Sequence, residues 1–148
     1  MTKRIYLDVC ALCRPYYDQS YMRIQLETVA VQLIFSAVDQ NMYELIYSPA
    51  HVNEISAISD QVERFELYHL LHETGEFISG DRSQVRERAE ELVSLGLGPA
   101  DAAHLAFALA SEADFITCDD RLCKRCRALD LAIWTGNPVA FCDKEGLR

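Results

Sequence analysis

The sequence lacks any apolar run of the roughly 20 residues that a membrane-spanning helix needs. The opening segment MTKRIYLDVC has a basic flank but no apolar stretch or small-residue cleavage site of the kind found in secretory leaders. We therefore expect a cytoplasmic protein with no membrane attachment. Repeats, low-complexity blocks and linkers are also missing. The 148 residues, 50% of them hydrophobic, are accordingly expected to form a single domain over 1–148, with a partly docked C-terminal tail from about residue 136.

Positive charge is scarce. Fourteen Lys and Arg face 23 Asp and Glu, for a net charge of -9. Such a chain repels nucleic acid at long range unless basic side chains gather locally or cations bind the acids. The segment RLCKRCR at 121–127 is one local concentration of positive charge. It is either a solvated helix face or a contact surface for RNA.

Two of the cysteine spacings could indicate a metal site. The pairs Cys10/Cys13 and Cys123/Cys126 could together supply the four thiolates of a zinc site, or either could be a redox pair. However, the pairs lie far apart in the chain and each adjoins an apolar strand. Free cysteine in a reducing compartment behaves as a small buried hydrophobe. Ordinary reduced thiols are therefore the main expectation.

Short apolar runs alternate with segments of helical periodicity. The runs predict strands at 4–9, 43–48, 114–119 and 131–134, and either a strand or an extended link at 76–81. The periodic segments predict helices at 20–40, 48–59, 60–75, 83–94, 101–110 and 121–130. Strands separated by helices imply parallel pairing with both faces of the sheet covered. The predicted fold class is α/β, a three-layer α/β/α architecture with a mainly parallel central sheet.

Four acidic residues fall where such sheets bind ligands, outside the carboxyl ends of the strands. They are Asp8 ending the first strand, Glu54 on the helix after the second, Asp101 beginning a helix and Asp119 ending a later strand. Each alone could cap a helix or face solvent. Buried together without partners, they would cost several kcal/mol or become protonated. A hard cation such as Mg²⁺ or Mn²⁺ removes that penalty, so the cluster predicts metal-assisted phosphodiester hydrolysis.

Three segments of the chain resemble the VapC-like PIN-domain ribonucleases. They are YLDVCALCRPYYDQ, YSPAHVNEI and GPADAAHLAFALASEADFITCDDRL, of which the last is the most specific. The resemblance implies a PIN-like parallel α/β/α fold and an Mg²⁺- or Mn²⁺-dependent endoribonuclease activity. In many small bacterial members it also implies a toxin role with a cognate antitoxin protein.

The resemblance also assigns roles by position. The catalytic acids of the family correspond to Asp8, Glu54, Asp101 and Asp119, and the metal ligands among them to Asp8, Asp101 and Asp119. Thr117 is the supporting hydroxyl, and Asp120 is the alternate for the fourth acid.

One position departs from the family pattern. Cys10 stands where members usually carry Ser, Thr or Asn, two residues after the first acid. A thiol is a poorer partner for magnesium-bound water than a hydroxyl. Weak activity, a different preferred metal, or a site that only binds are the alternatives that follow.

Single-stranded or looped RNA is the expected substrate, because its phosphates and splayed bases are accessible. The helix after Asp119 would bring Arg121, Lys124 and Arg125 near the site as RNA-binding cations. His104, one helical turn after Asp101, could orient an acid, contact substrate or lie in the core. Tyr16 and Tyr17 could stack on bases or pack against the next helix.

Other function classes fit less well. A haloacid-dehalogenase-type phosphatase would want a second acid where Cys10 stands, and a receiver domain would want a lysine after a late strand, which TCDDRL does not offer. The rival that stays open is a catalytically weak PIN-like module that binds RNA or a partner protein without cutting, and Cys10 favours it. The apolar helices near the N-terminus could in addition support a homodimer.

Overall fold

The fold is described over residues 2–148 by a computed structural model. In this range the strands are β1 (Lys3–Leu7), β2 (Tyr43–Tyr47), β3 (Gly75–Phe77), β4 (Asp114–Ile116) and β5 (Thr135–Gly136). The helices are α1 (Val9–Leu12), α2 (Met22–Asp39), α3 (Pro49–Ser56), α4 (Gln61–Thr74), α5 (Arg82–Ser94), α6 (Pro99–Ala110), α7 (Asp120–Ala128) and α8 (Pro138–Glu145). A 3₁₀ turn, Arg14–Tyr16, follows α1.

The five strands form one sheet in the order β3-β2-β1-β4-β5, and every neighbouring pair is parallel. Successive residues of β1 point to opposite faces, so Ile5 and Leu7 join one buried cluster while Tyr6 joins the other. Helices cover both clusters, which confirms the predicted three-layer α/β/α fold. Among residues 2–148, no helix has the length and apolar character needed to cross a membrane.

The helices begin where local chemistry satisfies their free amides. Ser48 caps α3, with its hydroxyl accepting a hydrogen bond from Ala50 N, and Pro49 occupies the first helical position. Helix α4 ends at Gly75, as predicted. It does not end in a left-handed turn, because the φ of Gly75 is -104°. A Cβ at Gly75 would lie 2.8 Å from the Leu71 carbonyl oxygen, so close packing requires the glycine.

The C-terminal part differs most from expectation. The last strand is β5 rather than 131–134, because Thr135 and Gly136 are the residues that pair with β4. The segment expected to be a tail contains α8, which packs on α2. Its Phe141 is fully buried, with its ring 5.4 Å from that of Tyr43 and 5.8 Å from that of Trp134. The short α1 was also not predicted.

Candidate active site

The sheet order creates a crevice at the ends of β1 and β4. From β1 the chain builds strands on one side, through β2 and β3, and later adds β4 on the other side. Loops that leave β1 and β4 therefore diverge, and such a topological switch point is the usual ligand site of open parallel sheets. Leu7 pairs with Ile116 at these ends. Asp8 directly follows one strand, and Thr117 directly follows the other.

Asp8 is an acid held in a buried position. Its backbone ends β1, and its side chain caps α1, with Oδ1 accepting a 3.1 Å hydrogen bond from Ala11 N. The Cys10 thiol donates to the same oxygen at 2.9 Å. Asp8 is only 5% exposed. Burial raises the pKa of Asp8 well above its ordinary value, so the carboxylate form lacks the solvation that water would give it.

Thr117 and Asp119 form the opposite wall of the crevice. The Thr117 hydroxyl lies 3.4 Å from the Cys10 sulfur and accepts a 3.1 Å hydrogen bond from Asp119 N. Asp119 caps α7, because its Oδ1 accepts from Arg121 N at 2.9 Å and Leu122 N at 3.2 Å. Thr117 therefore joins the loop of the first acid to the loop of the last.

Asp101 and Glu54 complete the acidic group. Asp101 lies in the first turn of α6. Burial, followed by the negative charge of Asp119 and then that of Glu54, raises the pKa of Asp101. Repulsion of Asp101 by like charges acts at short range. The structure thus brings these three predicted acids near one another, with Glu54 partly exposed on α3 and its Oε1 lying 3.1 Å from His104 Nε2.

Asp120, the alternate for the fourth acid, pairs with Arg23 on α2. Its two carboxylate oxygens each accept a 2.7 Å hydrogen bond from the Arg23 guanidinium, and this contact lowers the pKa of Asp120. Arg23 also donates to the Cys118 carbonyl at 3.3 Å. The pair consequently ties the loop before α7 to α2. Of Asp119 and Asp120, Asp119 is the one whose negative charge contributes to the raised pKa of Asp101.

The predicted RNA-binding cations have different surroundings. Arg121 and Lys124 are exposed on α7. The Arg125 guanidinium instead donates to the carbonyl of Gly96, in the loop that leads to α6. Gly96 has φ +106°, and a Cβ there would lie 2.7 Å from Arg125 Nη1. Glycine is therefore required at this position, and Arg125 holds the loop before Asp101.

The two CxxC pairs do not meet as a zinc site. All six cysteines are free thiols. Burial raises the pKa of Cys13 to about 12, that of Cys123 to about 11 and that of Cys126 to about 12. Contact with the Cys118 thiol, followed by burial, raises the pKa of Cys10 as well. These thiols have the properties of buried, protonated side chains.

The acidic group fits a hard divalent cation in its donor chemistry. Its donors are carboxylate oxygens, which Mg²⁺ and Mn²⁺ prefer. Raised pKa values of Asp8 and Asp101 mean that a nearby cation would stabilise their charged forms. Between residues 2 and 148, no three His, Cys, Asp or Glu side chains form a ready-made metal cage.

Sequence reasoning missed the buried polar residues beneath the acids. Tyr6, Ser48 and His51 are each 0% exposed. Tyr6 lies in β1, and Ser48 and His51 lie at the start of α3. One signal was present: Ser48 and His51 occupy the N-cap and N3 positions of a capping box at the start of α3. Tyr6 gave no signal, because it lies inside an apolar strand.

The fold and this crevice define a class, that of parallel α/β/α domains with acids gathered at the topological switch point. The family model of the PIN domain matches residues 5–128, and the chain belongs to this family. The fold is similar to that in the crystal structure of FitAcB from Neisseria gonorrhoeae. The TM-score is 0.52 at 15% identity, over 90% of this chain and 97% of that one. This likeness concerns the fold alone. No curated protein sequence matches the chain.

Proposed function

We propose that the protein is an Mg²⁺- or Mn²⁺-dependent endoribonuclease whose site comprises Asp8, Glu54, Asp101 and Asp119. The observation that carries the proposal is the meeting of buried Asp8, which follows β1, with the Thr117–Asp119 loop, which follows β4, at the switch point of the sheet. Carboxylates gathered in this way are unfavourable without a cation. Membership of the PIN family, whose domains are generally nucleases, supports the same reading.

Each acid has a distinct task in this proposal. Asp8, Asp101 and Asp119 would hold the cation, which activates water and offsets phosphate charge when bound. Oδ1 of Asp8 and of Asp119 is occupied by helix amides, which leaves Oδ2 of each for this purpose. Glu54, partly exposed at the edge of the group, would orient the attacking water or accept its proton. Cys10 is not a nucleophile here, because its hydrogen is donated to Asp8.

Single-stranded RNA would approach along α7. Arg121 and Lys124 would contact its phosphates, and Arg125 would add charge near Asp101 while holding the loop at Gly96. Local cations are needed because the chain as a whole carries a net charge of -9.

A toxin role with an antitoxin partner belongs to the same proposal. The surface that supports a protein partner is a stripe of Met22, Leu26 and Val29 on α2, spaced four and three residues apart. All three side chains are about half exposed or more. Exposed apolar stripes of this kind occur at protein interfaces. The stripe fits a homodimer as well as an antitoxin.

A second candidate function is a PIN-like module that binds RNA or a partner protein without cutting. Cys10 is the observation that favours it, because a thiol occupies the place of a hydroxyl between Asp8 and Thr117. The presence of four acids favours the nuclease, since a binding module does not need to gather like charges.

The test is cleavage of a mixed single-stranded RNA by purified protein with Mg²⁺, Mn²⁺ or excess chelator. The variants are Asp101→Asn and Asp119→Asn. Asp81→Asn is the matched control, because Asp81 caps α5 with the same two amide bonds that Asp119 makes to α7. Asp81 borders a cavity that includes Ala110, at the end of α6 opposite to Asp101.

We expect cleavage to need the metal, to fall by about 100-fold or more in the two site variants, and to persist in Asp81→Asn. If the protein binds Mn²⁺ but cuts no RNA, the non-cutting module is the correct function. If cutting persists in chelator or in both site variants, the site is wrongly assigned.

A further inference from the structure

A line of buried polar groups runs from the sheet to Glu54. The Tyr6 hydroxyl lies 2.7 Å from Ser48 Oγ and 2.7 Å from His104 Nδ1. The other ring nitrogen of this histidine, His104 Nε2, lies 3.1 Å from Glu54 Oε1. Tyr6 and Ser48 are 0% exposed and His104 is 1% exposed. The line therefore joins β1, the start of α3 and the first half of α6 to one carboxylate at the surface.

The neighbouring histidine fixes one end of this region. His51 Nδ1 accepts a 3.0 Å hydrogen bond from Ser48 N, so its other nitrogen carries the hydrogen and donates to the Leu7 carbonyl at 2.6 Å. Burial lowers the pKa of His51 to about 3, which keeps the ring neutral. Its ring packs against those of Tyr6 and His104, at 4.6 Å and 4.9 Å. His51 is thus a rigid, uncharged support for both.

The polarity of the line follows from its partners. An ionised Glu54 can only accept, so the hydrogen of His104 belongs on Nε2. In the neutral ring, Nδ1 then accepts from the Tyr6 hydroxyl, whose oxygen accepts from Ser48. His104 Nε2 makes no hydrogen bond of good geometry in this structure, although its 3.1 Å distance to Glu54 is short. It is a buried donor facing a partly exposed carboxylate whose side chain can rotate to complete the bond.

Glu54 differs from Asp8 and Asp119 in having no backbone group to hold its side chain. Asp8 and Asp119 are fixed by the amides of helices that they cap. Glu54 lies within α3, where the backbone amides are bonded along the helix, so its flexible side chain needs another constraint.

We propose that Tyr6 and His104 form a positioning pair that holds Glu54 toward Asp101 and Asp119, with Ser48 fixing the Tyr6 hydroxyl. The proposal rests on the function proposed above for Glu54. Tyr6 and His104 are too deeply buried to touch RNA, so they act through Glu54 rather than on the substrate. Residues that orient a catalytic carboxylate commonly affect rate by about 10- to 100-fold.

The first test needs no activity. Nitrogen-15 NMR of the histidine rings reports which nitrogen carries the hydrogen. In the native chain His104 is expected to carry it on Nε2. Glu54→Ala is expected to shift the His104 signals, while those of His69 and His72, which lie on α4 and make no hydrogen bond to Glu54, stay in place. Unchanged His104 signals in Glu54→Ala would overturn the pairing, whether or not the protein cuts RNA.

The second test is a double-mutant cycle on RNA cleavage with Mn²⁺. Tyr6→Phe and His104→Leu are each expected to lower kcat about tenfold with little change in KM. His104→Gln, which keeps a donor, should recover part of the loss. In a Glu54→Ala background Tyr6→Phe and His104→Leu should have no further effect.

Tyr43→Phe is the matched control for Tyr6→Phe. Tyr43 is a buried strand tyrosine whose hydroxyl donates to Glu145 at 2.9 Å, away from the acids. Both changes can lower the free energy of unfolding, but only Tyr6→Phe should lower kcat. Equal losses in the native and Glu54→Ala backgrounds would mean that the pair does not act through Glu54. If the native chain cuts nothing, the proposed function fails, and the NMR result alone decides the pairing.

Discussion

Cys10 is the residue on which the strength of the proposed site depends most. Its thiol contacts Asp8 Oδ1 at 2.9 Å and Thr117 Oγ1 at 3.4 Å, between the two walls of the crevice. Sulfur is large, weakly polar and a poor partner for water bound to a hard cation. In Cys10→Ser we expect Mg²⁺-supported cleavage to rise about tenfold, because a hydroxyl donates more strongly to Asp8 and accepts more strongly from Thr117 than a thiol does. The measurement is the Mg²⁺ dependence of the initial rate.

Cys142→Ser is the control for this change. Cys142 donates to the Ala30 carbonyl at 3.5 Å, between α8 and α2, so it shares the thiol chemistry but not the site. Its substitution should leave the Mg²⁺ dependence as it was. An equal or lower rate in Cys10→Ser would show that the thiol is not what limits the reaction.

Sequence patterns identified single candidate residues of the site better than they identified the contacts between them. Asp8 and Asp119 could be found because each ends an apolar run, and Asp101 because it begins a helix after Gly and Pro. Tyr6 and Ser48 could not be linked to His104, because no periodicity relates side chains on three separate elements. The engagement of Asp120 by Arg23 was hidden for the same reason. Hydrogen bonds between distant segments depend on tertiary packing, which local patterns do not encode.

At the scale of elements, α7 combines a buried apolar face with a cationic face beside the acids. Leu122, Cys123 and Cys126 face the core, while Lys124 is exposed. If this face binds RNA phosphates, Lys124→Ala should raise KM several-fold and lower the slope of log affinity against log salt by about one. The measurement is RNA affinity over a salt series.

Arg86→Ala is the control, because Arg86 is a well-exposed cation on α5 whose partner is Glu90. Its removal changes the net charge equally but removes no cation from α7. Equal effects of the two substitutions would mean that only overall charge matters and that α7 is a solvated face.

α8 belongs to the packed core. Phe141→Ala should lower the free energy of unfolding by about 3 to 5 kcal/mol, because a fully buried ring leaves a cavity beside Tyr43 and Trp134. Val139→Ala, on the exposed side of the same helix, should change it by less than about 0.5 kcal/mol. Urea unfolding of the two variants measures both. A small loss in Phe141→Ala would mean that this segment is only loosely docked.

The sequence carried signals for α8 that the strand and helix predictions did not use. Asn137 caps the helix by accepting from Ala140 N, Pro138 begins it, and Gly146 ends it with φ +69°. These are ordinary start and stop signals. The position of β5 was less accessible, because a strand of two residues is defined by its pairing with β4 rather than by its own pattern.

For the molecule as a whole, the buried acids make stability depend on pH. Burial raises the pKa of Asp8 above the ordinary value of 3.8. Between the ordinary and raised values the folded state binds more protons than the unfolded state, so the free energy of unfolding falls as pH rises. His51 has the opposite sign. Its pKa falls from 6.5 to about 3, so its contribution is present above pH 6.5 and is lost as pH falls toward 3.

We therefore expect Asp8→Asn to have a higher Tm than the native chain at neutral pH in chelator, and a smaller loss of stability as pH rises from 3.8 through the raised pKa of Asp8. Asparagine can still cap α1 through its oxygen, so the change removes the charge and keeps the cap. Asp60→Asn is the control, because Asp60 is an exposed cap of α4. Thermal unfolding over a pH series measures both. An unchanged or lower Tm in Asp8→Asn at neutral pH would mean that Asp8 is not strained by its burial.

The fold as a whole was the most predictable level. Alternation of strands and helices is enough to indicate a parallel sheet with helices on both sides. The same alternation does not state which strands are neighbours. That β4 pairs with β1 and so opens the crevice depends on packing between segments far apart in the chain.

The strand order also governs when the site can exist during synthesis. The ribosome delivers the chain from its N-terminus, and domains fold as their segments emerge. β1, β2 and β3 can associate early, yet the second wall of the crevice arrives only with β4 and α7. A chain that stalls before β4 carries Asp8 and Glu54 without Asp119. If the completed protein cuts RNA as proposed, a copy that has not yet reached β4 should not cut the message that encodes it.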